Sequence, residues 1–193
     1  MNESDFRQAI SQFASGVTVV TAWAGGRSFG MTLSAMTSLS LEPPALLICV
    51  NRKVPTEQAI TASGVFAVNV LADYQERLAR KFAKPADDKF DGVDVEYTRH
   101  GVPLVRGALG HFECTVRERM SGGSHSIFIG HVDAARVYDR RPLVYHGAGF
   151  GDFNGRVRAR SRYLTTCRRP PASARSSPPS HLGSGRPSPG RPR

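Results

Sequence analysis

Between Phe29 and Pro44 the chain reads FGMTLSAMTSLSLEPP, in which Thr32, Ser34, Thr37, Ser38 and Ser40 all carry hydroxyls. They alternate with Met31, Leu33, Met36, Leu39 and Leu41, the two-residue period of extended backbone with one apolar and one hydroxyl-bearing face. A solvated strand face ordinarily carries Lys, Glu or Arg. Short hydroxyls instead donate to and accept from a buried polar ligand without presenting a charge to neutralise. The alternative is a strand pair whose hydroxyls bond to backbone, and the pattern alone leaves both open. Other reactive side chains are scattered. Cys49, Cys114 and Cys167 share no metal-ligand spacing, and His111, Glu113, Glu118 and His131 match no zinc motif, so these four are expected to face outward from their strands. No metal site is expected. No GxGxxG follows a strand, so a nicotinamide nucleotide bound here is held without the usual pyrophosphate turn.

The elements that position these groups follow from periodicity. Phe6, Ile10 and Phe13 form the apolar stripe of a short helix capped at Ser4-Asp5 and ended by Gly16. Val17 to Trp23 is a strand, and the Gly25-Gly26 turn returns it into the hydroxyl-rich stretch. Pro43-Pro44 interrupts the ladder, and Ala45 to Val50 reads as a fully buried strand. Thr56 is expected to cap a helix over Glu57 to Ala62. Strands are predicted over 65–71, 93–97, 109–120, 126–138 and 143–145, and an amphipathic helix over 73–84. Short strands without an alternating strand-helix rhythm predict a mainly β fold, an antiparallel barrel with peripheral short helices.

The formal charge of +10 over 193 residues suggests nucleic acid, but its distribution does not. Met1 to Phe153 holds 16 Lys+Arg and 16 Asp+Glu, whereas Asn154 to Arg193 holds 10 Arg and no acid. The expected division is therefore a neutral domain over 1–153 and a disordered Arg/Pro/Ser/Gly-rich tail over 154–193. No aromatic residue interleaves with the arginines after Tyr163, which favours a plain extension over a nucleic-acid arm. No apolar run has the length of a membrane span or the form of a signal peptide, and a reducing cytoplasm fits the cysteine usage.

Eight segments in order carry a resemblance: FRQAISQFASGVTVVTA, GMTLSAMTSLSLEPPALLICVNR, GVFAVNVL, RKFA, DKFDGV, GALGHFECTV, GGSHSIFIGHV and RPLVYH. Over about residues 5 to 150 the chain resembles the flavin reductase-like family, the small reductases that supply reduced flavin to two-component monooxygenases. The resemblance implies a Greek-key split β-barrel that binds FMN or FAD, forms a homodimer, and moves a hydride from NADH or NADPH to the flavin for a partner flavin-dependent monooxygenase. A non-catalytic flavin-binding or electron-transfer protein on the same barrel is the alternative.

Carried over residue by residue, the resemblance implies an isoalloxazine cradle at Met31, Thr32, Ser34 and Ala35, where many relatives have a second serine in place of Ala35. It implies that Ser38, Cys49, Val50, Asn51 and Thr56 line the ribityl and phosphate end, and that Lys89 and Phe90 stand at the rim, where a cation meets phosphate. Inside ALLICV, Cys49 reads as a core thiol rather than a chemical participant, and Arg52 and Lys53 read equally as a solvated loop. The family's Gly-Asp-His turn appears as Gly123-Ser124-His125, which implies a role for His125 in orienting the nicotinamide, with serine replacing aspartate. Tyr145 either closes over the nicotinamide or is the last core aromatic.

Overall fold

A computed structural model of the chain describes residues 2–155, which correspond to one compact unit, Met1–Asn154. The tail expected from composition lies almost wholly outside the described residues. The first helix, α1 (Glu3–Ser11), is capped two residues ahead of Ser4, the start of the expected cap: the Asn2 side chain accepts from the Asp5 N–H at 2.8 Å. Its stripe does not pack on its own barrel, for Phe6, Ile10 and Phe13 are 53%, 55% and 73% exposed. Gly16 belongs to a two-residue strand, β1 (Ser15–Gly16), rather than to a helix end.

The remaining strands are β2 (Thr18–Ala24), β3 (Arg27–Leu33), β4 (Met36–Leu41), β5 (Pro44–Asn51), β6 (Val65–Val70), β7 (Val95–Tyr97), β8 (Pro103–Val105), β9 (Gly110–Gly122), β10 (His125–Val137), β11 (Leu143–His146) and β12 (Gly149–Asp152). Helices α2 (Pro55–Ser63) and α3 (Glu76–Ala83) complete the set, α3 being preceded by a 3-10 turn over Asp73–Gln75. Proline at the first position of α2 makes Val54 the N-cap, so Thr56 lies inside the helix and not at its cap.

Seven strands form the main sheet in the order β3-β2-β6-β9-β10-β5-β4. All its pairings are antiparallel. Strands β3 and β4 are consecutive in the chain yet occupy opposite edges. The hydroxyl-rich stretch is thus two strands broken at Ser34-Ala35, and the barrel is split where the chain crosses from one edge to the other. Each of these strands has a ladder partner on one side only, so alternate amides and carbonyls on the other side have no strand partner. A separate three-stranded sheet, β1-β11-β12, ties the first strand to the last.

Burial on β5 alternates, contrary to the fully buried strand expected. Leu46, Ile48 and Val50 enter the core with Val20, Phe66 and Phe128. Leu47, Cys49 and Asn51 face the other way, matched in register by Ile129, Ile127 and His125 of β10. An apolar sequence reads the same whether its second face meets the core or something outside the chain.

Two buried polar knots fix the framework. The Asn69 amide donates to the Val19 carbonyl at 2.8 Å and accepts from the Val105 N–H at 2.7 Å, joining β2, β6 and β8. His111, expected to face outward, is buried: its Nε2 bonds the Val105 carbonyl at 2.8 Å, and its ring meets Tyr138 edge-on. The second knot is Glu57, whose side chain is 5% exposed. It accepts from Arg119 at 2.7 and 3.1 Å and from the Ser126 hydroxyl at 2.6 Å, locking α2 to β9 and β10. Desolvation pushes its pKa up, but the hydrogen bonds and charge of Ser126 and Arg119 outweigh this and hold it below the usual carboxylate range.

Candidate functional site

Beside the β3 edge lies a cavity of about 530 Å³ lined by residues of β3, the start of α2, the end of α3 and the loop that follows it. It falls within the size range of small-molecule sites. Five of the expected site residues line it: Met31, Thr32, Thr56, Lys89 and Phe90. Packing of α3 against β3 shapes its floor. Gly30 allows this, because a Cβ there would stand 2.6 Å from the Phe82 ring and 3.1 Å from Phe90. Phe82 and Phe90 meet edge-on with centroids 5.0 Å apart.

Lys89 gives the cavity its electrostatic character. Its ammonium donates to the Gly30 carbonyl at 3.2 Å and the Phe82 carbonyl at 3.1 Å. Desolvation alone lowers its pKa from the usual lysine value, and no carboxylate among the described residues pairs with it. Two carbonyl dipoles orient the charge but do not cancel it. Thr32 is committed differently, since its hydroxyl donates to the Ala79 carbonyl at 2.6 Å and so pins β3 to α3. For Thr32 the reading of hydroxyls that bond to backbone is the one realised. Among the described residues the hydroxyls of Ser34 and Ser38 make no hydrogen bond within the chain and are exposed.

The other expected residues lie outside the cavity lining. Ala35 accepts from the Cys49 N–H at 3.0 Å, and β5 separates β4 from β10, so Ala35, Cys49, Asn51 and His125 share one patch at the end of these strands. Cys49 is half-buried on the outer face rather than a core thiol. Val50 points into the core and offers a ligand only its backbone. The Asn51 side chain accepts from the Lys53 N–H at 2.9 Å and shapes the loop into α2. His125 Nδ1 lies 2.9 Å from the Ser124 hydroxyl, and the Arg52 N–H donates to the Ser124 carbonyl at 3.1 Å. Arg52 also bonds Ser121 through its side chain, so it spans the Gly122-Gly123 turn. Tyr145 is not among the residues lining the cavity; it packs edge-on against Phe150, on the core cluster that joins Val17, Leu71 and Leu143 to the cavity-lining Phe82 and Phe90.

Sequence reasoning did not assign Arg27, Phe29 or Lys53 to the cavity, yet all three line it. Pro55 was the available signal for Lys53: a proline that starts a helix places the preceding loop at the helix N-terminus, where anions are favoured. Arg27 has no comparable signal, since its distance from Lys89 along the chain hides their common wall.

The fold and the split edge are matched by a family of known domains. The flavin reductase like domain matches residues 10–154. The chain belongs to the flavin reductase like family. Among curated relatives of this family member, the reductase component of a 4-nitrophenol 4-monooxygenase/4-nitrocatechol 2-monooxygenase from Rhodococcus opacus is 40% identical over 153 residues, covering 79% of this chain and 82% of the relative. An NADH-dependent FAD reductase from Streptomyces globisporus is 42% identical, covering 76% of this chain and 84% of the relative. The solved structure of a Streptomyces globisporus NADH:FAD oxidoreductase in complex with NAD and FAD fragments superposes with a TM-score of 0.76 at 39% identity, covering 79% of this chain and 93% of that one. Among the described residues of this family member, no helix is long and apolar enough to cross a membrane, and no cluster of three metal-ligating side chains occurs.

Proposed function

We propose that this family member is an NAD(P)H-dependent flavin reductase that takes FMN or FAD as an exchanging substrate and delivers it reduced to a flavin-dependent monooxygenase. The observation that carries the reading is the split between β3 and β4 opening beside the unneutralised Lys89 ammonium: unpaired edge amides suit a neutral, acceptor-rich ring, and the cation suits a phosphate. When bound, the flavin would supply the redox chemistry, its N5 accepting from nicotinamide C4 one hydride, which carries both electrons.

The chain's own work is binding and alignment. Amides and hydroxyls around Met31, Thr32, Ser34 and Ala35 face the ring, the Thr32 hydroxyl acting through β3 because it is already bonded to Ala79. Ser38, Cys49, Asn51 and Thr56, with the backbone of Val50, line the ribityl and phosphate end, and Lys89 with Phe90 closes the rim. His125 orients the nicotinamide carboxamide through Nε2, its Nδ1 being occupied by Ser124. Tyr145 takes no direct part.

A second copy of the chain covers the surfaces left apolar: the α1 stripe and the outer faces of β5 and β10. Free thiols at Cys49 and Cys114 suit a reducing cytoplasm. The deciding experiment follows NADH and NADPH oxidation with each flavin in turn. A rate that rises with added flavin and a protein that loses flavin on dialysis support the reading. Stoichiometric flavin retained through dialysis, with no nicotinamide oxidation, supports the non-catalytic flavin protein instead. Light scattering that reports a monomer removes the dimer.

A further inference from the structure

On an exposed part of the cavity lining, the Arg27 guanidinium lies over the Phe29 ring with Cζ 5.1 Å from the ring centroid. Both residues line the cavity. The guanidinium sits against the ring, and the Arg27 side chain is 56% exposed, so a ligand can reach it. The Asp87 carboxylate stands 3.9 Å from Arg27, fully exposed, on the loop after α3 that also lines the cavity. A planar cation backed by an aromatic ring is a stacking platform for a heteroaromatic base. A carboxylate beside it accepts from an exocyclic amine. Lys53 and Lys89 on the same wall supply positive charge for the phosphates that such a base would carry.

The geometry points to Arg27, backed by Phe29, as the platform that holds the adenine of a dinucleotide cofactor on this exposed part of the cavity lining, so that the chain prefers adenine-bearing cofactors over their mononucleotide counterparts. This rests on the flavin reductase reading. Adenine is common to FAD and to NADH, and both fit the chemistry of a base followed by a pyrophosphate. Asp87 can accept from the exocyclic amine that adenine offers.

The test is a ratio, measured on the full chain. Initial rates give kcat/KM for FAD and for FMN with NADH saturating, and for NADH and for reduced nicotinamide mononucleotide with FMN saturating. For Arg27→Ala the FAD-to-FMN ratio is expected to fall about 5- to 100-fold if the flavin's adenine sits there, the usual span for loss of one base stack. A fall in the NADH-to-mononucleotide ratio assigns the platform to the nicotinamide cofactor. Phe29→Leu, which removes the backing ring, is expected to move the same ratio in the same direction. Arg27→Lys keeps the charge and loses the plane, so it should behave as Arg27→Ala does; full rescue by lysine would make the effect a phosphate contact and overturn the platform. Unchanged ratios in all three variants overturn it as well. If the wild-type chain oxidises no nicotinamide with either flavin, the reductase reading fails on its own. Calorimetric titration of AMP into the wild type and Arg27→Ala then decides the platform independently: weaker binding by the variant upholds it, and equal or absent binding overturns it.

Discussion

Glu57 and Lys89 are both charges drawn out of water, and the chain treats them in opposite ways. Around Glu57 it supplies a guanidinium and a hydroxyl, so the charge is satisfied within the fold and the carboxyl is held below its usual range. Around Lys89 it supplies two carbonyls and no carboxylate, so desolvation prevails and the ammonium is held below its usual range. A charge matched by its own chain serves the framework, whereas a charge left unmatched on a cavity wall raises the affinity for whatever anion enters. The two corners share α2, since Glu57 is the third residue of the helix whose first residues line the cavity.

The sharpest break of that comparison is Glu57→Ala. It strands Ser126 and half-exposed Arg119 and is expected to cost about 2–3 kcal/mol, lowering Tm by about 5–10 °C with or without flavin, as thermal melts would report. A Tm within 2 °C of wild type would mean that the Glu57 knot carries little of the framework. Next comes Lys89→Met, expected to leave Tm within about 2 °C while raising KM for flavin about tenfold, the worth of one charge-assisted bond. Equal losses of stability and unchanged KM would make Lys89 a framework residue like Glu57. His125→Ala is expected to lower kcat/KM for the nicotinamide about three- to tenfold, the net worth of one hydrogen bond. Flavin affinity should change far less, and the reverse pattern would move His125 to the flavin side.

The pH dependence separates the corners by sign. Glu57 has a depressed folded pKa, so its contribution is complete above the unfolded carboxylate range and is lost as pH falls through the folded value. Lys89 is also depressed, so at neutral pH the folded state pays for holding it charged; that penalty shrinks as pH rises through the folded pKa toward the usual lysine value. Denaturant titrations of wild type against Glu57→Gln should converge in acid, and against Lys89→Met should diverge in favour of wild type in alkali. The smallest expected effect belongs to residues 156–193: their deletion should leave Tm and both KM values unchanged. Salt-sensitive DNA binding lost on that deletion would instead give the arginines a partner.

Most strands were legible because β-branched runs and glycine turns are local signals. What was not legible depends on partners far along the chain. Strand β8 is three residues starting with proline, and it exists because β7 pairs with it. Once β8 was missed, His111 had no visible acceptor and was assigned to the surface. The outward face of β5 was read as core because Leu47 and Cys49 are as apolar as Leu46 and Ile48. Glu57 gave no sign of its role, since Arg119 and Ser126 lie 62 and 69 positions away. In the site, the composition of the hydroxyl-rich stretch left a ligand face and a backbone-bonded strand pair both open, and the topological property of the stretch was not visible in it. The stretch crosses between two sheet edges at Ser34-Ala35, and the alternation of residue types slips at Ala35-Met36 and Thr37-Ser38, beside the break in the strand.

The sheet that ties β1 to β11 sets the order in which the molecule can be completed during synthesis. Ser15 pairs with Tyr145, Val17 donates to the Leu143 carbonyl, and Leu143 donates to the Leu71 carbonyl. Val17, Leu71 and Leu143 therefore close one core cluster only after residue 143 has been made. At about 5–20 residues per second, the 102 residues from the end of β4 at Leu41 to Leu143 take roughly 5–20 s, during which the early strands exist and their last partner does not. Throughout that interval β2, the hydroxyl-rich strands and the unpaired edges are presented to the ribosome's surroundings. The interval of greatest exposure is counted in seconds and ends when β11 arrives to join β1.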